Sequence, residues 1–362
     1  MRDPLRAVTI LLNGLLSPRR FQQIWGNPEL CEQVYHAVAK QDLSLLRGYV
    51  RNADKHKQRL SLAWLEREIE SAREKQVRII TIHDSAYPGL LKHIAQPPPV
   101  LYTKGRMRWQ NLIALVGTRK YTAYGKRVLA RLVPELVRHG LGSVSGMAYG
   151  IDYWAHRYTL DNQGYTLAVL GTGIDVVYPK ANQHLYTRIA AEGGGVLSEF
   201  PLGASPGRYT FVQRNRIISG LAQLVCVIES DAKGGALITA EFALEQGKDV
   251  MAVPGSIFSD KSRGCNMLIQ QGAQALTDFR DILLTLPGDH LKEQKMMTGN
   301  SCPSLNEQEK RILQCIGHKA TPLDAVLQQL DMPIGQVYEI LFDLEKRGVI
   351  DREPGNRIIK LV

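Results

Sequence analysis

Between Leu112 and Gly255 short apolar runs, most of them ending at a glycine, alternate with longer helix-compatible stretches, and few folds accommodate that rhythm. The runs at 112–116, 141–145 and 166–170 are too short for helices. Their flanking glycines favour buried parallel strands. The same reading places strands at 195–199, 224–229 and 250–253, with helices at 124–139, 152–162, 183–191, 209–221 and 236–246. Strictly alternating strands and helices require right-handed crossovers. They give an α/β, doubly wound, mostly parallel Rossmann-like sheet whose ligand crevice lies at the carboxyl ends of its strands. The glycine turns fall at those ends, where backbone N–H groups can approach a phosphate.

A dinucleotide site does not follow. The phosphate fingerprint needs three glycines after the first strand and an acid roughly 20 residues on. Here the first turn is Gly117-Thr118-Arg119-Lys120, one glycine and two cations. The net charge is +10, with +7 in residues 77–286, +4 in 1–76 and −1 in 287–362. An excess of positive charge on the central segment raises the local concentration of polyanions. Arg119 and Lys180 are expected to face each other across the crevice. Arg214 and Arg216, flanking Asn215, are expected to be a second pair of phosphate ligands. Gly117, Gly146, Gly150, Gly171 and Gly173, with Thr118, would offer backbone N–H groups.

Around this core, residues 1–76 read as a small all-α N-terminal domain with helices at 4–12, 18–25, 28–39, 43–51 and 60–74, broken at Gly14, Gly26 and Gly48. The core extends over 77–286, with early strands at 77–82 and 100–103. Residues 287–303 read as a linker. Residues 304–362 carry three helices and a hairpin in the order of a winged-helix C-terminal domain. Its third helix bears Glu339, Asp343 and Glu345 against Lys346 and Arg347, a poor surface for phosphates that favours a protein contact or a regulatory role. Five cysteines without a C-x-x-C imply no disulfide framework, and no metal or cofactor is implied. No apolar run is long enough for a membrane span, and no cleavage pattern follows residues 8–16, so a cytoplasmic protein is expected.

Six motifs resemble the DprA/Smf family of bacterial DNA-processing proteins. They are Leu115-Val-Gly-Thr-Arg119, Ser145-Gly-Met-Ala-Tyr-Gly-Ile-Asp152 with His156, Val169-Leu-Gly-Thr-Gly-Ile-Asp-Val-Val-Tyr-Pro179, Gln213-Arg-Asn-Arg-Ile-Ile218, Gly235-Ala-Leu-Ile-Thr-Ala240, and Val253-Pro-Gly255 with Gly264-Cys-Asn-Met-Leu-Ile269. Met147, Tyr149 and Gly234 depart mildly from the pattern. The resemblance implies a homodimer that binds and protects incoming single-stranded DNA and loads the RecA recombinase during natural transformation. It places DNA-contacting cations at the Arg119 and Lys180 motifs.

Asp152, His156 and Asp175 invite a catalytic reading, but no nucleophile with an orienting partner accompanies them. Asp152, at a helix start, is expected to cap N–H groups and to bond His156. The rival is an enzyme. Lys233 to Glu241 has the spacing of the P-G-G-x-G-T-x-x-E motif of the lysine-decarboxylase-like nucleotide phosphoribohydrolases that act on nucleoside monophosphates, with Glu241 at the acid. Leu237 and Ile238 stand where that motif has Gly and Thr and would obstruct a phosphate loop, so the expectation is a binding protein and not an enzyme.

Overall fold

The structure, a computed structural model, describes residues 3–16, 18–286, 305–317, 321–330, 332–347, 349–353 and 355–360; the expected linker at 287–303 lies outside them. The N-terminal helices are α1 (Pro4–Leu12), α2 (Pro18–Trp25), α3 (Pro28–Ala39) and α4 (Leu62–Glu74). Asp3, Asn27 and Ser61 cap α1, α3 and α4 with side-chain oxygens, and proline opens the first three helices, where its missing N–H costs nothing. Of the helix expected at 43–51 only a 3-10 turn forms, Leu46–Gly48, and a second such turn, Ala53–His56, lies beyond it. Asn52 between them adopts a left-handed conformation that no helix can pass through.

The core runs β1 (Arg78–Thr81), α5 (Gly89–Lys92), β2 (Val100–Gly105), β3 (Leu112–Val116), α6 (Ala123–Arg138), β4 (Gly142–Ser145), α7 (Ile151–Asp161), β5 (Thr166–Leu170), α8 (Gln183–Ala191), β6 (Gly195–Ser198), α9 (Arg208–Leu221), β7 (Leu224–Val227), α10 (Gly235–Glu245), β8 (Asp249–Ala252), α11 (Asp260–Gln270), β9 (Gln274–Ala275) and α12 (Phe279–Thr285). One nine-stranded sheet has the order β1-β2-β6-β5-β4-β3-β7-β8-β9. From β6 to β9 every pair is parallel, while β2 meets β6, and β1 meets β2, antiparallel. This is the doubly wound arrangement expected from the alternation. The helix α11 was legible only as a motif, and α5, β9 and α12 were not expected.

Strand parity divides the core. Leu112, Ala114 and Val116 pack toward α9, α10 and α11, whereas Ile113 and Leu115 pack toward α6, α7 and α12. Both faces of β3 are buried, which is why its sequence is apolar without alternation. A third layer joins Val100, Tyr102, Ala168 and Val196 to α8 and to the N-terminal helices, including Ile10, Leu11, Phe21 and Leu65. Asn13 Nδ2 donates to the Glu199 carbonyl at 2.8 Å and Arg6 pairs with Asp84 at 2.9 Å, so the helical segment shares its core with the sheet.

The last unit has α13 (Glu307–Cys315), β10 (Thr321–Pro322), α14 (Leu323–Gln328), α15 (Ile334–Lys346), β11 (Ile350–Glu353) and β12 (Arg357–Lys360), with the sheet order β10-β12-β11 of a winged helix around its own apolar cluster. Lys126 on α6 reaches Asp351 of this unit at 2.8 Å. Among the described residues no helix is long and apolar enough to cross a membrane.

Candidate nucleic-acid interface

Three loops leave the carboxyl ends of β3, β4 and β5, which are adjacent in the sheet. They are interlocked. Gly150 takes φ +82° with its Cα against the backbone of Thr118 and Arg119, a position no side chain could share, and Ile151 N donates to Thr118 O at 3.2 Å. The first loop thus lies on the second. Asn182, 3% exposed, donates its amide to Met147 O at 2.9 Å and to Ala148 O at 3.3 Å, which ties the second loop to the turn Lys180–Asn182. Met147 is fully buried at φ 59°, a conformation sparsely populated for such a residue and held here by that clamp. Asp152 fixes the same loop from inside, accepting from Gly146 N at 3.1 Å and Ala148 N at 3.4 Å.

Arg119 and Lys180 are exposed on this rim. The Arg119 guanidinium stands 5.7 Å over the Phe211 ring, whose centroid is 5.4 Å from that of Tyr178, two residues before Lys180. That chain of contacts puts both cations on one side of the sheet edge. Among the described residues neither has a carboxylate partner, so their charge is free for a ligand. Lys120 and Arg208 are also exposed, on the first loop and one helical turn before Phe211. Sequence reasoning had counted Lys120 among the two cations of the first turn without making it a ligand, and had not singled out Arg208, which lies just before the helix expected at 209–221.

The other expected ligands are placed differently. Arg214 is 4% exposed and its Nη1 donates to Gly146 O at 2.7 Å and to Val169 O. A Cβ on Gly146 would fall 2.5 Å from that guanidinium, so this glycine makes room for the arginine and not for a phosphate. Arg216 is 5% exposed and pairs with Glu199 at 2.5 Å. The motif reading of both as phosphate ligands is corrected: residues two apart point to nearly opposite sides of a helix, and α9 is covered on both, so Arg214 turns to the loop carbonyls and Arg216 to Glu199, and both carry their charge into the core. Asn215, between them, is half-buried and accepts from Arg214 Nε at 3.2 Å.

The amides of Gly146, Gly173 and Thr118 are engaged within the protein as well. Gly146 N is held by Asp152 and Gly173 N by Ala204 O at 2.9 Å. Thr118 N is held by Glu229 O at 2.8 Å. Gly117 packs against Ile151 and Gly171 against Phe211. These glycines bring loops together rather than cradle a phosphate. At the switch point between β3 and β7 the Glu229 carboxylate receives Thr122 N at 2.9 Å and Thr122 Oγ1 at 2.5 Å, filling the position a dinucleotide pyrophosphate would take.

His156 does not bond Asp152. Its Nδ1 meets Thr166 Oγ1 at 2.6 Å in a buried chain that continues to Ser143 and Thr159. Burial, helped by the Arg214 charge, pushes its pKa down to about 3, so the ring is neutral. The unfolded chain therefore binds a proton that the folded chain refuses between about pH 6.5 and 3. Stability falls as pH drops through that window, by up to about 1.4 kcal/mol per pH unit. Urea titrations at pH 7, 6 and 5 should show this slope in the parent and a smaller one in His156→Gln; equal slopes would remove the assignment. Asp175 accepts from Gly203 N at 2.8 Å and lies 3.8 Å from Lys75, an internal role. Glu241 sits exposed on α10, and the half-buried Leu237 and Ile238 occupy the first turns of that helix.

With this geometry in view, residues 78–287 match the profile of the DNA recombination-mediator protein A family, and residues 299–356 match the DprA winged-helix domain. The chain belongs to the DprA/Smf family. It is 36% identical over 325 residues to Protein Smf of Synechocystis sp., covering 80% of this chain and 81% of that one. It is 42% identical over 226 residues to the DNA processing protein DprA of Bacillus subtilis, covering 62% and 76%. The X-ray structure of Streptococcus pneumoniae DprA superposes with a TM-score of 0.66 at 34% identity, over 80% of this chain and all of that one. A Helicobacter pylori DNA processing protein A, described for its single-stranded DNA binding mode, superposes with a TM-score of 0.53 at 28% identity, over 58% and 95%. The DprA/Smf fold thus accounts for sheet, helical segment and winged helix together.

Proposed function

We propose that the chain binds single-stranded DNA in the cleft above β3, β4 and β5, with Arg119 and Lys180 on the sugar-phosphate backbone and Lys120, Arg208 and Asn215 along the same rim. The observation that carries this reading is the pair of exposed cations, without carboxylate partners among the described residues, on loops that interlock at one edge of the sheet. Binding that follows phosphates needs such a groove and no base-specific contacts. The Helicobacter pylori relative, described as binding single-stranded DNA, supports the same ligand here. In this reading the protein protects incoming strands and hands them to the RecA recombinase in transformation and recombination, as a cytoplasmic homodimer that binds and does not turn over substrate.

The winged helix has a different partner in this reading. Just past α15 and on β11 two cations are engaged by acids of this unit: Arg347 lies 2.5 Å from Glu309 and 3.0 Å from Asp343, and Glu345 holds Arg352 at 3.0 Å. Ile334, Tyr338 and Phe342 are exposed beside these acids, a surface that suits protein and repels duplex phosphates. Gel shifts on oligonucleotides of one sequence, single-stranded and duplex, test the proposal. The full chain should retard the single strand at much lower concentration. Equal retardation of both would sink it.

A further inference from the structure

The cleft carries rings as well as charges, and their geometry is specific. Tyr178 and Phe211 lie with centroids 5.4 Å apart and planes 31° from parallel, close to an offset stack. Phe211 is pressed onto the backbone of Gly171, since a Cβ there would fall 2.6 Å from its ring, and Arg119 covers it at 5.7 Å. The lower ring is thus immobilised between a glycine and a guanidinium. Tyr178 is the outer member and is 42% exposed. Tyr209, 76% exposed, stands two residues before Phe211 at the start of α9. Lys180 is two residues from Tyr178, Arg208 is one from Tyr209, and Arg119 lies over Phe211.

We propose that the Tyr178–Phe211 pair is a stacking platform that takes an unpaired nucleobase, with Tyr178 as the contacting ring, while Arg119 and Lys180 hold the phosphates beside it. This rests on the single-strand reading and gives it a cause. A base inside a duplex is already stacked on its neighbours, so a protein ring has no face to cover, whereas a single strand presents every base. A rigid aromatic pair loses little conformational freedom when it binds, and it accepts all four bases because each has a π-face. The cations set affinity and salt dependence. The platform sets the preference for unpaired strands.

The test compares intact oligothymidylate with the same oligonucleotide carrying internal abasic sites, which keep the phosphates and remove the bases. The parent should bind the abasic strand about tenfold more weakly. Tyr178→Ala should lose about the same factor on the intact strand and no longer distinguish the two. Tyr178→Phe, which keeps the ring, should behave as the parent. A 2-aminopurine base in the strand should be quenched by the parent and by Tyr178→Phe but not by Tyr178→Ala. If the parent binds both strands equally while Arg119→Ala with Lys180→Ala still weakens binding, the platform is wrong and the cleft stands. If the parent binds neither strand, both are wrong. Should Tyr178→Ala fail to fold, the abasic comparison on the parent and on Tyr178→Phe decides alone.

Discussion

Replacing Arg119 and Lys180 together by alanine should lower affinity for a single-stranded oligonucleotide by at least about 100-fold near physiological salt. Each side chain is exposed and lacks a carboxylate partner among the described residues, so neither substitution leaves a buried charge, and the fold should persist. A charge-assisted contact contributes roughly 1.5–3 kcal/mol, and two of them lost in parallel exceed two decades in the dissociation constant. A second readout identifies the cause. Each phosphate neutralised on a single strand adds about 0.7 to the slope of log K against log salt, so the double variant should show a slope smaller by about 1.4. A variant that bound weakly with an unchanged slope would have lost shape rather than charge. Retained affinity would remove the cleft from the mechanism.

The second large effect concerns stability and runs opposite to the motif reading. Arg216→Met should destabilise the protein by about 3–5 kcal/mol in urea unfolding at neutral pH, because Glu199 would remain buried, 4% exposed, without its counter-ion. Burial already pushes the Glu199 carboxyl up, and Arg216 opposes that shift. Without the arginine the folded-state pKa rises further above the unfolded value. The cost is then small below the unfolded pKa and grows as pH rises. The variant should accordingly approach the parent in stability near pH 4 and diverge from it by pH 7. Converting both partners, Arg216→Met with Glu199→Leu, should recover most of the loss, since a buried pair often does no better than packed apolar side chains. Folded Arg216→Met should bind DNA as the parent does. A selective loss of DNA binding without loss of stability would return Arg216 to the interface.

The fold was readable because its strands are buried on both faces. Leu112 to Val116 is apolar throughout and Thr166 to Leu170 is apolar after its first residue, and glycine flanks several of the strands. Arg119 and Lys180 were expected on one edge because the loops that carry them follow β3 and β5, and strand ends in a doubly wound sheet share one edge. Arg214 and Arg216 could not, because a charge within a motif does not reveal which way it faces. Their burial depends on Glu199 and on the carbonyls of Gly146 and Val169, groups 17 to 68 positions away. The glycines were rightly tied to close approach, but what approaches is protein. The Tyr178 and Phe211 pair was invisible for the same reason, as 33 residues separate two rings that only the tertiary fold brings into contact.

The layer shared by the first helices and the sheet has a consequence for how the chain is made. Ile10, Leu11, Phe21 and Leu65 find their partners in Tyr102, Ala168 and Val196, the last of which leaves the ribosome more than a hundred residues after α4 is complete. Synthesis adds on the order of 5–20 residues per second, so for several seconds these helices have an oily flank with nothing to cover it. A nascent chain of this protein is therefore a natural client for holdase chaperones, from its first turn until β6 closes the layer.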